Sequence, residues 1–361
     1  MRFIWFVKSN FYIDNIMKKS LELKGGIIVI CLLSLSACGS GKFLDSYAPE
    51  ESGLNVMKIT DESSNSVIGD KSVGGLSFLA KGNFTLTAIG GCKNSNVYWG
   101  TERLLSVSPD GQELGYVSNI NKQWNIMVRK AGAQGASTQR TFRDISDFSW
   151  GNDGNLYFSD KSDIQRIQIG ATNAHAGSIM RQLTNNSIDK NPTVTVDGKL
   201  LFFTRVDKSG PSIWSLDLEN GSLTSCARGY NPCIVGNSND SFICVRNSMS
   251  GISGLWLVNY IDGKETLILS DKYRGFTNPM VSPDGQWILC QGNSKSSITK
   301  KNNLDIFAVK VDGTGFVQLT YHPADDCCPV WSVDGKNIYF ISSRANKDNY
   351  FNIWRIRFDL R

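Results

Sequence analysis

Strand-length runs of apolar and aromatic residues recur six times along the chain, each directly after a short polar turn. They read LGYVS at 114–118, LYFSD at 156–160, LFFTR at 201–205, FICVR at 242–246, ILCQG at 288–292 and IYFIS at 338–342. A second run follows in every unit: NIMVR from 125, IQRIQI from 164, SIWSLD from 212, GLWLVN from 254, DIFAVK from 305 and NIWRIR from 352. The turns carry Asp110-Gly111, Asp153-Gly154, Asp197-Gly198, Asp284-Gly285 and Asp334-Gly335, with a degenerate Asp240-Ser241 between the third and the fourth of these. Successive aspartates lie 43, 44, 43, 44 and 50 positions apart. Asp-Gly between two apolar runs is a hairpin pattern, because glycine takes the positive φ of a tight turn at no steric cost. A period near 44 suits four short strands and their turns. Six such units predict an all-β protein, a six-bladed β-propeller of four antiparallel strands per blade.

The last unit reaches Arg361 just after its third strand, so its outer strand is expected from the N-terminal side. Residues 83–89 (NFTLTAI) are the expected donor, since Leu86-Thr87 echoes the Leu183-Thr184 and Leu319-Thr320 that close other units. The reading divides the chain into a signal peptide at 1–37, a lipidated cysteine with a flexible tether at 38–75, and the propeller at 76–361.

The N-terminal part is polar-apolar in a different way. Residues 25–37 (GGIIVICLLSLSA) are an apolar run of 13 preceded by Lys18, Lys19 and Lys24. That is too short for a membrane-spanning helix of about 20 residues and suits a signal-peptide core. It ends in Leu35-Ser36-Ala37-Cys38, which looks like a bacterial lipobox, with Cys38 as the lipid acceptor. Asp14 and a further apolar stretch precede the lysines, so translation from Met1 or from Met17 both remain open. Gly39, rather than aspartate, follows Cys38, and by resemblance to proteobacterial sorting this favours the outer membrane. Serine, aspartate, glutamate and asparagine dominate from there to about residue 71, a composition that buries little surface.

Leu-Thr, some ten polar residues, Asn-Pro, Ser-Pro-Asp-Gly and an aromatic strand together resemble the propeller repeats of the TolB-like family, over about residues 80–361. Four units keep a proline five residues before the aspartate or its equivalent: Pro192, Pro232, Pro279 and Pro329. A strand start tolerates such a proline, where it removes no ladder hydrogen bond. TolB proper adds an N-terminal α/β domain and is not lipidated, so the resemblance implies the propeller rather than orthology. It also implies a non-enzymatic envelope protein whose propeller binds a protein or peptide segment, as TolB binds a peptidoglycan-associated lipoprotein.

Charge and composition narrow the chemistry. A net charge of +5 from 38 basic and 33 acidic residues is too small and dispersed for a nucleic-acid footprint. Two histidines, His175 and His322, leave little for zinc sites or Ser-His-Asp chemistry. SPDGQW at 282–287 lacks the residue that an Asp-box places between aspartate and glycine, and no G-x-S-x-G elbow is present. Loops joining each outer strand to the next inner strand are the expected binding face. They carry Asp144, Asp147, Asp189, Lys190, Arg228, Tyr230, Tyr273, Arg274, His322, Asp325 and Asp326. His322 with the two aspartates could hold a divalent cation, but position 322 also suits a loop residue bonded to its own backbone. The reading taken is no metal, no cofactor and a monomer, with glycan binding through Tyr230 and Tyr273 as the alternative and an unrecognised enzyme as the third class. Seven cysteines lie beyond Cys38; Cys226 and Cys233 could pair, whereas Cys244 and Cys290 fill the slot of Tyr116, Phe203 and Phe340 and are expected to be small buried side chains.

Overall fold

The computed structural model describes residues 57–59 and most of 102–358, short stretches within that range excepted. All belong to the larger of two compact units, Phe43–Arg361. Six four-stranded antiparallel sheets are formed. Blade 1 comprises β2 (Leu105–Val107), β3 (Glu113–Ser118), β4 (Asn125–Lys130) and β5 (Thr138–Gln139). Blade 2 comprises β6 (Ile145–Trp150), β7 (Asn155–Asp160), β8 (Asp163–Gln168) and β9 (Met180–Gln182). Blade 3 holds β10 (Asp189–Val194), β11 (Leu200–Asp207), β12 (Gly210–Asp217) and β13 (Leu223–Arg228). Blade 4 holds β14 (Tyr230–Ile234), β15 (Ser241–Asn247), β16 (Ser253–Asn259) and β17 (Glu265–Leu269). Blade 5 holds β18 (Phe276–Val281), β19 (Trp287–Lys295), β20 (Asn302–Lys310) and β21 (Val317–Gln318). Blade 6 runs β22 (Asp326–Trp331), β23 (Asn337–Ser342), β24 (Asn352–Arg357) and then β1 (Met57–Lys58) at its outer edge. The inner strands neighbour one another in a closed ring, β2 beside β6, then β10, β14, β18, β22 and β2 again. This is a six-bladed β-propeller.

The Asp-Gly turns work as the sequence pattern suggests. Gly111, Gly154, Gly198, Gly285 and Gly335 all have φ between 67° and 78°, a region that costs a side chain strain. In blades 1 and 3 the hydroxyl two residues earlier, Ser108 or Thr195, donates to the aspartate at 2.6 Å and accepts the backbone N–H five residues on. Ser282 and Ser332 do the same for Asp284 and Asp334. Blade 4 departs from the expected Asp240-Ser241 turn. There Val235 N–H donates to Ser241 O at 3.2 Å, closing a loop one residue longer, and Ser241 already begins β15.

The prolines sit inside the inner strands rather than at their starts. Pairing slips between Lys190 and Thr193, Tyr230 and Cys233, Thr277 and Met280, and Cys327 and Val330, so each proline lies in a bulge. The residue before it is left-handed: Asn191, Asn278 and Cys328 at φ 52° and Asn231 at 57°. Asparagine tolerates that region, and a bulge spares the missing N–H a ladder partner.

Blade 6 is closed by Met57 and Lys58, opposite Arg355 and Trp354, with Ile59 N–H donating to Ile353 O at 2.8 Å. Closure by residues 83–89 is therefore corrected, and that segment lies outside the described residues. The closing strand falls within the stretch 38–75 read as tether. Ile59-Thr60 carries the same apolar-threonine echo as Leu183-Thr184, and Ile59 packs against the cluster joining blades 6, 1 and 2. Cys226 and Cys233 are both free thiols, so the suggested pairing is not formed, while Cys244 and Cys290 are buried as expected. Among the described residues no helix is long and apolar enough to cross a membrane.

A chain beginning at residue 55 should melt like the full-length protein, whereas one beginning at 62 loses the edge hydrogen bonds and the Ile59 contact. The second truncation is expected to lose about 2–4 kcal/mol, read by thermal or urea denaturation. Equal stability of the two would overturn the closure by β1.

Candidate functional site

The meander order sorts the connections onto two faces. Asp-Gly turns and the links between third and outer strands share one, the turn face. Links from outer strand to next inner strand, and from second to third strand, share the other, the loop face. All eleven expected binding residues belong to the loop-face ends of the blades, yet they separate into two groups.

Six are buried and tied to the scaffold. Asp147 accepts the Asn191 backbone N–H at 3.2 Å, so it links blade 2 to blade 3. Asp189 takes a two-pronged ion pair from Arg205 at 2.7 and 2.8 Å. Tyr230 packs in the core with its hydroxyl donating to Asn247 Oδ1 at 2.8 Å. His322 Nδ1 accepts Ala324 N–H at 3.0 Å, a bond within its own loop. Asp325 accepts Leu304 N–H at 2.8 Å, and Asp326 pairs with the fully buried Arg344. Among the described residues no group of three or more His, Cys, Asp or Glu side chains is arranged to hold a metal ion. These six support the face from beneath and do not present side chains to it.

The other five are reachable. Asp144, Arg228 and Tyr273 are exposed, Tyr273 at 78%, and Lys190 and Arg274 are half-buried. Arg274 has a structural duty as well, because its guanidinium lies 4.7 Å over the Phe307 ring. Phe307 occupies the slot of Trp214, Trp256 and Trp354 in other blades. Arg205 covers Trp214 at 4.7 Å, Arg246 covers Trp256 at 5.0 Å and Arg344 covers Trp354 at 5.6 Å. Asp189, Glu265 and Asp326 hold those three guanidiniums in turn. Cation–π contact with an acidic clamp thus recurs at the loop-face end of the blades.

Sequence reasoning passed over Arg103. It is buried, precedes β2 and donates to Pro232 O of blade 4, directly across the ring, so it bridges the axis. Burial lowers its guanidinium pKa, with Cys233 and Asp147 opposing that shift; burial likewise raises the Asp147 carboxyl. The repeat register could have found it, since Arg103 stands seven residues before Asp110 as Lys190 stands before Asp197.

Burial pushes the Asp325 carboxyl up to about 6, the Leu304 N–H pulling weakly the other way. With a folded value above the ordinary 3.8, the folded chain keeps a proton that the unfolded chain releases over that interval. Its contribution is thus present below the unfolded value and lost as pH rises through about 6. Asp325→Asn keeps an acceptor for Leu304 and cannot ionise. The fall in melting temperature between pH 4 and 7 should shrink, leaving the variant at least as stable as wild type at pH 7. A less stable variant with an unchanged pH slope would refute this.

No family model and no curated protein matches the chain. Among solved structures it is similar to a TolB of Agrobacterium tumefaciens, at 16% identity and TM-score 0.51 over 72% of this chain and 90% of that one. It is similar too to TolB of Acinetobacter baumannii, at 13% identity and TM-score 0.51, over 71% of this chain and 63% of that one. An oligogalacturonate lyase of Vibrio parahaemolyticus aligns at 11% identity and TM-score 0.49, over 72% of this chain and 89% of that one. The fold of the described residues is that of a TolB-like six-bladed propeller.

Proposed function

We propose that the protein is a bacterial envelope lipoprotein, held at the outer membrane by lipid on Cys38, whose monomeric propeller is a non-enzymatic scaffold binding a protein or peptide through its loop face. The carrying observation is that Phe142, Met249 and Tyr273, each more than half exposed, stand with Ile298 on loop-face connections, whereas of Val196, Ile261, Phe316 and Val333 on turn-face links only Ile261 is more than half exposed. Exposed apolar tips above a rigid frame are where partners gain most contact energy. Asp147, Asp189, Tyr230, His322, Asp325 and Asp326 beneath them are each bonded to backbone or to another side chain, which suits a support rather than a reaction centre. The TolB-like repeat supports the same reading. Glycan binding through paired tyrosines is disfavoured because Tyr230 is buried.

The direction of β1 fixes where the N-terminal segment enters the propeller. β1 is an outer strand, so it runs from the turn face toward the loop face, and the preceding residues join at the turn face. Cys38 stands 19 positions before Met57, a reach of at most about 65 Å.

Cys38→Ala should abolish palmitate labelling and release the protein from the membrane fraction; labelling that persists would sink the anchor. A photo-crosslinking side chain at Phe142 or Tyr273 should trap an envelope protein in living cells, whereas one at turn-face Ile261 should not. Crosslinks confined to Ile261 would place binding on the opposite face.

A further inference from the structure

We infer that the loop face over blades 4 and 5 docks an acidic polypeptide segment that also carries apolar side chains. This rests on the loop-face reading and names the partner chemistry. Three neighbouring connections each fold around one polar side chain and hold one apolar residue outward. In the blade 4 loop, Ser248 O accepts Gly251 N–H at 2.9 Å and Ser248 Oγ accepts Ile252 N–H at 3.2 Å, leaving Met249 exposed at the tip. Between blades 4 and 5, Asp271 Oδ1 accepts the N–H groups of Tyr273 at 2.7 Å and Arg274 at 2.9 Å, and Tyr273 stands out. In the blade 5 loop, Ser296 Oγ accepts the N–H groups of Ile298 at 3.2 Å and Thr299 at 3.1 Å, and Ile298 stands out. Ordered loops that expose apolar tips have already met the entropy cost of presenting them.

Charge selects the occupant. Arg228, Lys272, Lys295 and Lys300 are exposed in the same sector. Among the described residues of these connections Asp271 is the exposed acid, and its Oδ1 holds the turn just described. Toward blades 2 and 3 the balance differs, for Arg143 pairs with Asp160, and Asp144 and Asp207 stand exposed beside Lys208. Cations around an apolar triad match a segment of alternating acidic and apolar side chains, the cations steering encounter and the triad slowing release. An anionic lipid surface would satisfy the same charges, but three separate apolar tips on ordered turns match side chains spaced along a polypeptide, and the vesicle arm of the test separates the two.

The test uses the full chain in detergent with a fluorescein-labelled 16-residue peptide alternating Asp or Glu with Leu or Phe. A peptide with lysine at every acidic position and phosphatidylglycerol vesicles serve as the other arms. Saturable binding of the acidic peptide is expected, weakening as salt shortens the screening length. K272E/K295E/K300E should weaken it about 10-fold or more. M249S/Y273S/I298S should weaken it too, with the melting temperature of both variants kept. Equal affinity of wild type and both variants, equal binding of the lysine peptide, or a preference for vesicles over peptide would overturn the inference. If crosslinks from Tyr273 to the envelope partner persist undiminished in K272E/K295E/K300E, the acidic partner is wrong while the loop-face reading stands. If Phe142 and Tyr273 trap nothing in the wild-type background, the loop-face reading itself has failed.

Discussion

Each sheet of this chain is apolar on both faces, and every other feature of the molecule follows from the need to cover them. In blade 3, Phe203 packs with Tyr157 of blade 2, while its neighbour Phe202 packs with Phe242 and Cys244 of blade 4. Leu289 and Ile306 of blade 5 meet Phe340 and Trp354 of blade 6 in the same manner. A blade with one neighbour would leave half of this surface in water, at about 25 cal/mol for each Å². The ring therefore has to close, and a strand of two residues suffices because it completes a sheet already covered on both sides.

Convergence of six strands on one axis creates the second demand. The left-handed residue and bulge before each of four prolines turn the inner strands there, and their polar side chains end up buried. Such groups cost free energy unless bonded, and charged ones more so. Arg103 meets this by reaching the opposite blade, Asp147 by accepting from Asn191, and the arginines over Trp214 and Trp354 by pairing with Asp189 and Asp326. The acid–arginine–aromatic stacks of blades 3, 4 and 6 cover the third strand beside the loop-face end of the second.

A loop face built this way separates support from presentation. His322, Asp325 and Asp326 hold backbone and guanidinium in place, whereas Met249, Tyr273 and Ile298 stand above turns closed by Ser248, Asp271 and Ser296. Substitutions in the first group are read out as stability and pH response. Those in the second change what the surface meets, since they remove little that the fold uses.

The near-constant spacing of Asp-Gly turns and the aromatic strands after them determined the six blades, because turn chemistry and alternation are local properties that a repeat writes out again and again. The slot shared by Cys244, Cys290 and Phe203 was legible for the same reason. Closure was not, since two residues have no period to read, and the apolar-threonine echo at Ile59-Thr60 competed with the one at Leu86-Thr87. Nor did sequence separate Tyr230 from Tyr273, both expected on connections between blades: one begins β14 and is covered, the other is open. Which side chains lie beneath the loop face and which stand upon it was decided only by the tertiary structure, because burial depends on what a distant part of the chain places alongside, as Pro232 does for Arg103 from 129 residues away.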